Sequence, residues 1–219
     1  MTDGVVLIDK PTGVTSFGVV ARIRRVLSTK AGKKVKVGHT GTLDPFATGL
    51  MILVVGNECK QAGTYSKLDK VYEATFILGK ESTTGDPEGE LTDVGSRIPR
   101  LEELGAAITR FTGEIRQRPP IFSAIKIDGQ RAYKLARNGE EIEMPERTVT
   151  VYSLELVNYT YPELKVRAHV SSGTYIRSLA VDIGQALGTG AYCTELRRIS
   201  IAQWNVDEAQ ELAAFGIEN

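Results

Sequence analysis

Apolar positions recur along this chain with two periods, and the changes from one to the other divide it into elements. VVLI at 5–8 reads as a short strand. In the KPTGVTS turn that follows, Ser16 is placed to cap a helix whose apolar residues Val19, Val20, Ile23, Val26 and Leu27 share one face. GLMILVV at 49–55 is a continuous apolar run of strand length, a short helix is expected over 58–66, and KVYEATFILG at 70–79 alternates as a strand does. GKESTTGDPEGELT at 79–92 is turn-rich, and RLEELGAAITRFTG at 100–113 reads as a helix closed by Gly113. RQRPPIFSAIKIDGQRAYKLARNGE at 116–140 reads as an ordered surface loop opening into a short helix. Two alternating strands follow at 148–159 and 163–172, then a capped helix over 172–188, a strand at 192–199 and a closing helix from Val206. Strands and helices mix without regular βαβ repetition, which predicts an α+β fold: a mixed, largely antiparallel sheet flanked by helices and loops.

Composition narrows the class without changing that picture. At 219 residues the chain is long enough for one domain with a full hydrophobic core, and its 42% hydrophobic and 25% charged content is ordinary for a globular protein. The longest apolar run is too short to span a membrane, and the N-terminus lacks the pattern of a signal peptide. Cys59 and Cys193 carry no pairing or CxxC signature, so a reducing cytoplasm is the expected compartment and small buried residues their expected role.

Formal net charge is zero, but its distribution is uneven. Between Thr12 and Leu43 there is no acidic residue, while Arg22, Arg24, Arg25, Lys30, Lys33, Lys34 and Lys36 all lie there. Such a block is either a solvated helix face with a basic turn or a surface for a phosphate-bearing partner, and composition leaves the two about even.

Next to that block stands GHTGTLDPFATG, 38–49, where glycines permit close approach by a ligand and the proline after Asp44 biases the aspartate toward an extended backbone. For an arbitrary Asp-Pro an Asx turn is the usual explanation. Other chemistry is thinly supported: only His39 and His169 exist, with no zinc-ligand spacing, and there is no phosphate-loop, dinucleotide or hydrolase-elbow motif. Asp44 is left as a nucleophile or base. A lone working aspartate must stay ionised, which calls for a nearby guanidinium; Arg177, in SSGTYIRS, is the best candidate from pattern.

GHTGTLDPFATG resembles the catalytic-aspartate motif of pseudouridine synthases, specifically the TruB family. The resemblance extends to DKPTGVTS, to KVYEATFILGKESTTGDPEG, to RPPIFSAIKIDGQRAYKLAR and to SSGTYIRSLAVDIG with LRR, in family order over nearly the whole chain. It implies an isomerase that converts a uridine of RNA to pseudouridine with no cofactor and no metal, the expected target being uridine 55 in the T-loop of tRNA. Asp44 then matches the nucleophile and Arg177 the arginine that pairs with it. Tyr72 matches the tyrosine lying against the extracted base, and His39 the residue filling the space the base leaves. Tyr175 and Leu196 match positions lining the uracil pocket, while Lys10 and Pro11 are expected to support the loop. The target base must leave its stack before the glycosidic bond can be reached.

The resemblance gives the basic residues a purpose: Arg24, Arg25, Lys33, Lys34, Lys36, Arg116 and Arg118 are expected to meet phosphates of a T-arm stem-loop. It also implies one catalytic domain over 1–219 with an RNA-binding insertion around 112–147, a monomer without an obligate protein partner. Bacterial relatives commonly continue into a C-terminal RNA-binding PUA domain, which this sequence is expected to lack. An RNA-folding module with incidental catalysis is the other reading; Asp44, Tyr72 and Arg177 together favour the enzyme.

Overall fold

A computed structural model describes residues 2–123, 125–127, 129–139 and 142–218. In chain order the elements are β1 (Gly4–Lys10), α1 (Ser16–Ala31), β2 (Val37–His39), β3 (Thr48–Val55), a 3-10 turn (Gly56–Gln61), α2 (Ala62–Ser66) and β4 (Lys70–Leu78). Then come β5 (Lys80–Ser82), β6 (Leu91–Asp93), α3 (Leu101–Arg110), β7 (Gly113–Gln117), β8 (Lys126–Ile127), β9 (Gln130–Arg131) and α4 (Ala132–Arg137). The chain closes with β10 (Arg147–Thr160), β11 (Glu163–Val170), α5 (Ile176–Leu187), β12 (Ala191–Ile201), β13 (Trp204–Asn205) and two 3-10 turns, Val206–Glu208 and Leu212–Phe215. The fold is α+β, and its strand pairing is mixed and mostly antiparallel.

Two compact units divide the chain: residues 1–72 with 196–219, and residues 73–195. In the first, β1 runs antiparallel to β3 from Gly4 opposite Val55 to Lys10 opposite Gly49, and β2 pairs antiparallel with the end of β3. The C-terminal part of β12 joins β3 in parallel, Arg197 opposite Thr48 and Arg198 opposite Gly49. Gly49 has φ +103°, and a Cβ there would stand 2.3 Å from the Arg198 carbonyl oxygen, so only glycine admits this crossing. Leu50, Ile52, Ile201 and Val206 form a buried cluster against which Val5, Leu7, Tyr65 and Trp204 pack. On α1, Val19, Val20, Ile23 and Leu27 are buried, the face that the spacing predicts.

In the second unit β11 lies between β4 and β10, and β7 pairs antiparallel with β10 from Gln117 opposite Arg147 to Gly113 opposite Val151. Eight of the twelve residues of α5 are buried, including Arg177 and Ser178. Gly184 lets α5 pass close to the chain before β12, since a Cβ there would meet the Ala191 nitrogen at 2.3 Å.

Three sequence expectations are corrected. Thr15 rather than Ser16 caps α1, its hydroxyl accepting from Gly18 N at 3.0 Å, because the Ser16 hydroxyl is engaged elsewhere. Gly113 does not cap α3; the helix ends at Arg110 with Phe111 as its cap, and Gly113, at φ +95°, opens β7, a strand the loop-like reading of the region missed. No α-helix follows Val206: Ala209 is extended (φ −84°, ψ 150°) and separates two short 3-10 turns.

Candidate active site

The candidate residues divide between the units: Asp44, His39, Tyr72 and Leu196 belong to the first, Arg177 and Tyr175 to the second. The loop that presents Asp44 is held through the main chain on both sides of it. Ser16 Oγ donates to Leu43 O and accepts from Leu43 N, each at 2.8 Å, which is why this serine is unavailable as a helix cap. Lys10 Nζ donates to Pro45 O at 3.3 Å, Gly13 N donates to the same oxygen at 2.8 Å, and Thr12 Oγ1 donates to Phe46 O at 3.2 Å. From the C-terminal strand, Arg198 donates through NH2 to Gly41 O at 3.2 Å and through Nε to Leu50 O at 2.7 Å. Asp44 closes a turn of its own, accepting from Ala47 N at 3.2 Å, and its side chain is half-buried.

Lys10 and Arg198 are both fully buried, and burial of a cation is tolerable only where its donors are satisfied. The alternation of β1 explains Lys10: it follows Val6 and Ile8 on the inward face. Its ammonium also reaches Pro11 O at 2.8 Å and Val14 O at 2.7 Å. Burial pushes Lys10 down to about 8; the Asp44 carboxylate works against that shift and the Arg198 guanidinium adds to it. Lys70 is likewise pushed down to about 8, by burial first and then by Arg198, and it donates to the carbonyls of Ser66 and Leu68. The aspartate loop therefore rests on a buried positive field carried by its own anchors.

Tyr72 is buried on β4 in line with Lys70, Ala74 and Phe76, and Leu196 is buried at the point where β12 enters the first unit. His39 ends β2 opposite Leu53, with a half-buried side chain. Arg25, Lys33, Lys34 and Lys36 are exposed, and Arg24 is half-buried. The basic block thus lies on the outward face of α1 and its following turn, available to a polyanion.

In the second unit Arg177 is 3% exposed and meets a carboxylate that the sequence reading left within a turn: Asp86, at 2.9 Å from NH1 to Oδ2. Arg177 also donates to Thr84 O at 3.0 Å and to Phe122 O at 2.8 Å. Asp86 is held in turn by Thr84 Oγ1 at 2.5 Å and Glu88 N at 3.0 Å. Removing either member of such a pair destabilises, because it takes compensating charge away from the other while that one stays buried. Tyr175, half-buried just ahead of α5, has the Arg147 guanidinium 5.0 Å from its ring centre. Arg116 and Arg118 point outward and share Glu146, at 3.0 and 3.5 Å. With Arg110, Phe111, Asp182 and others they line an open cavity of about 1230 Å³. Asp182 is pushed up to about 6, by burial first and then by Glu146.

Pattern reasoning missed Ser16 as a loop anchor, Arg198, Gln117 and Asp86. A second Asp-Pro in a glycine- and threonine-rich turn was the available signal for Asp86; Arg198 lies in the quoted LRR, which did not reveal its bonds to Gly41 and Leu50, and nothing local marks Gln117. The expected insertion around 112–147 includes positions 124, 128, 140 and 141, which lie outside the described residues. Among the described residues no helix is long and apolar enough to cross a membrane.

Residues 24–176 match the TruB family pseudouridylate synthase N-terminal domain, and residues 177–215 the tRNA pseudouridylate synthase B C-terminal domain. The chain is 45% identical over 215 residues to the tRNA pseudouridine synthase B of Aromatoleum aromaticum, covering 98% of this chain and 68% of that one. To the protein of the same name from Burkholderia mallei it is 44% identical, covering 97% and 69%. Among solved structures, a chain of a Cbf5-Nop10-Gar1 complex superposes with a TM-score of 0.74 at 31% identity, over 97% of this chain and 53% of that chain. A chain of an H/ACA RNP bound to a substrate RNA containing 2'-deoxyuridine gives 0.70 at 28% identity, over 100% and 57%. By two domain matches that together run from residue 24 to residue 215, and by near full-length identity to named relatives, this chain belongs to the TruB family of pseudouridylate synthases.

Proposed function

We propose that this TruB-family enzyme isomerises uridine 55 in the T-loop of tRNA, with Asp44 as its nucleophile. The observation that carries the mechanism is the loop of residues 41–46: four of its carbonyls and one of its amides are pinned, so the carboxylate is presented from a fixed main chain. A rigid nucleophile needs little reorganisation to reach its transition state. Asp44 forms the covalent adduct, for which the sugar C1′ and the base C6 are both open electrophiles. The C1′–N1 bond breaks, the uracil turns, a C1′–C5 bond forms, the bond to Asp44 breaks and returns its carboxylate, C5 loses its proton and N1 gains one. Atoms and charge balance without a cofactor.

In this proposal Tyr72 lies against the flipped uracil, with Tyr175 and Leu196 beside it, and His39 fills the gap left in the RNA. Arg177 supports the ionised state of the nucleophile. The exposed cations of the basic block, together with Arg116 and Arg118, contact phosphates and set register without reading sequence. For the latter two, RNA must compete with Glu146. The proposal includes action as a cytoplasmic monomer. Its test is incubation with an unmodified tRNA transcript and no added cofactor, followed by carbodiimide-dependent primer extension. A single new stop in the T-loop, absent with Asp44→Asn, supports the reading; a stop of equal strength with that variant overturns the role of Asp44.

A further inference from the structure

Gln117 is 1% exposed, although it ends a strand whose preceding residue, Arg116, points to solvent. Its amide does something unusual for a buried glutamine. Nε2 donates to Tyr175 O at 3.0 Å, while Oε1 accepts from Tyr175 N at 2.8 Å. The side chain therefore takes both backbone groups of one residue, 58 positions away, as a neighbouring strand would. Tyr175 is the N-cap of α5 and has no side-chain cap bond of its own. Gln117 thus accepts from the N-cap amide as the glutamate or glutamine of a capping box does, but from outside the helix.

Two further bonds join the same pair of segments. Ser178 Oγ donates to Arg118 O at 2.8 Å, and Arg177 NH2 donates to Phe122 O at 2.8 Å. The Tyr175 ring is covered by Arg147, whose guanidinium also donates to Gly173 O. Residues 117–122 consequently grip the first turn of α5 at Tyr175, Arg177 and Ser178. Strand alternation places Arg116 outside and Gln117 inside, so one short segment offers cations to solvent and holds the tyrosine from beneath.

Resting on the function proposed above, we infer that Gln117 is a positioning residue: it couples the arginines that face the RNA to the placement of Tyr175 against the base. The coupling runs through a rigid amide clamp, and displacing Tyr175 misaligns the reacting base without weakening the grip on phosphates.

The test separates chemistry from binding and from folding. Gln117→Leu removes both bonds at similar size. Gln117→Glu keeps the acceptor but, when ionised, cannot donate to Tyr175 O; its protonated carboxyl does both. Single-turnover pseudouridine formation, tRNA affinity by filter binding and amide hydrogen exchange at Tyr175 are measured on each protein. Both variants are expected to lose roughly 10²-fold in rate at about pH 8, with tRNA affinity unchanged and faster exchange at Tyr175. The Gln117→Glu rate, relative to the parent, should recover as pH falls toward about 5, where its carboxyl protonates. Parallel loss of rate and affinity, parental rates, or a Gln117→Glu pH profile parallel to that of the parent would overturn the inference. A parent protein that makes no pseudouridine overturns the proposed function and this coupling together, whereas an active parent with equally active variants overturns the coupling alone.

Discussion

Two loops of this protein carry an aspartate followed by proline among glycines and threonines, TGTLDPFATG and STTGDPEG, and they are anchored through different atoms. In the second, the carboxylate of Asp86 is itself the anchor: it takes Arg177, the Thr84 hydroxyl and the Glu88 amide. In the first, main-chain groups on either side of the aspartate, at Gly41, Leu43, Pro45 and Phe46, are anchored by Arg198, Ser16, Lys10 and Thr12. One loop is tied down through its aspartate's side chain, the other through the backbone that flanks its aspartate.

The sharpest way to break that contrast is to remove each carboxyl charge. Asp44→Asn should abolish pseudouridine formation in the primer-extension assay while the main-chain anchors at Gly41, Leu43, Pro45 and Phe46 keep the loop folded. Asp86→Asn should behave in the opposite manner. It removes the Asp86 charge that sits 2.9 Å from the buried Arg177 guanidinium, so it should lower stability in denaturant unfolding by more than Asp44→Asn does, with activity reduced through Arg177. Equal loss of stability in the two variants would refute the distinction.

Next in size is the anchor itself. Lys10→Met should destabilise the protein by about 2–3 kcal/mol, because it strands the carbonyls of Pro11, Val14 and Pro45 and removes the ammonium near Asp44. The parent offers a milder version by titration. Burial lowers Lys10 to about 8 from an ordinary 10.5, so above about pH 8 the folded protein holds a neutral amine while the unfolded chain still binds the proton. Global stability from this group is therefore constant below pH 8 and rises between about 8 and 10.5, yet the amine then has one donor fewer for three carbonyls. Single-turnover activity should fall over that interval as the loop loosens, and stopped-flow or quench measurements across it read the effect.

Asp182 provides the smallest contrast, as a carboxylate raised by burial and then by Glu146. Its value of about 6 means that protonation favours the folded state: stability gained by acidification from 6 toward 3.8 is absent at neutral pH. Asp182→Asn should stabilise by about 1 kcal/mol at pH 7, screening through the open cavity included, and have almost no effect near pH 4. Urea titrations at the two pH values measure it.

Much of the fold was legible because periodicity is local. The apolar face of α1, the two long strands 148–159 and 163–172, and Gly188 at the end of α5 all lie where spacing placed them, Gly188 at φ +66°. What sequence could not reveal was choice between local rules. Ser16 and Thr15 are both good caps, and the contact of Ser16 with Leu43, 27 residues away, decided between them. Gly113 fits a C-cap and a strand start equally well until Val151 lies opposite it. The candidate site residues came from resemblance, whereas the bonds that Arg198 and Gln117 make to backbone more than 50 positions away leave no periodic trace.

The first unit is discontinuous, residues 1–72 and 196–219, while the second is one uninterrupted stretch between them. During synthesis, which proceeds from the N-terminus, every partner within 73–195 has emerged before Arg198 exists. The nascent chain carries its aspartate loop from early on but receives the guanidinium that pins Gly41 and Leu50 only after residues 73–195 have been made. Assembly order thus lets the second unit complete its contacts while the first still waits for the strand that closes it.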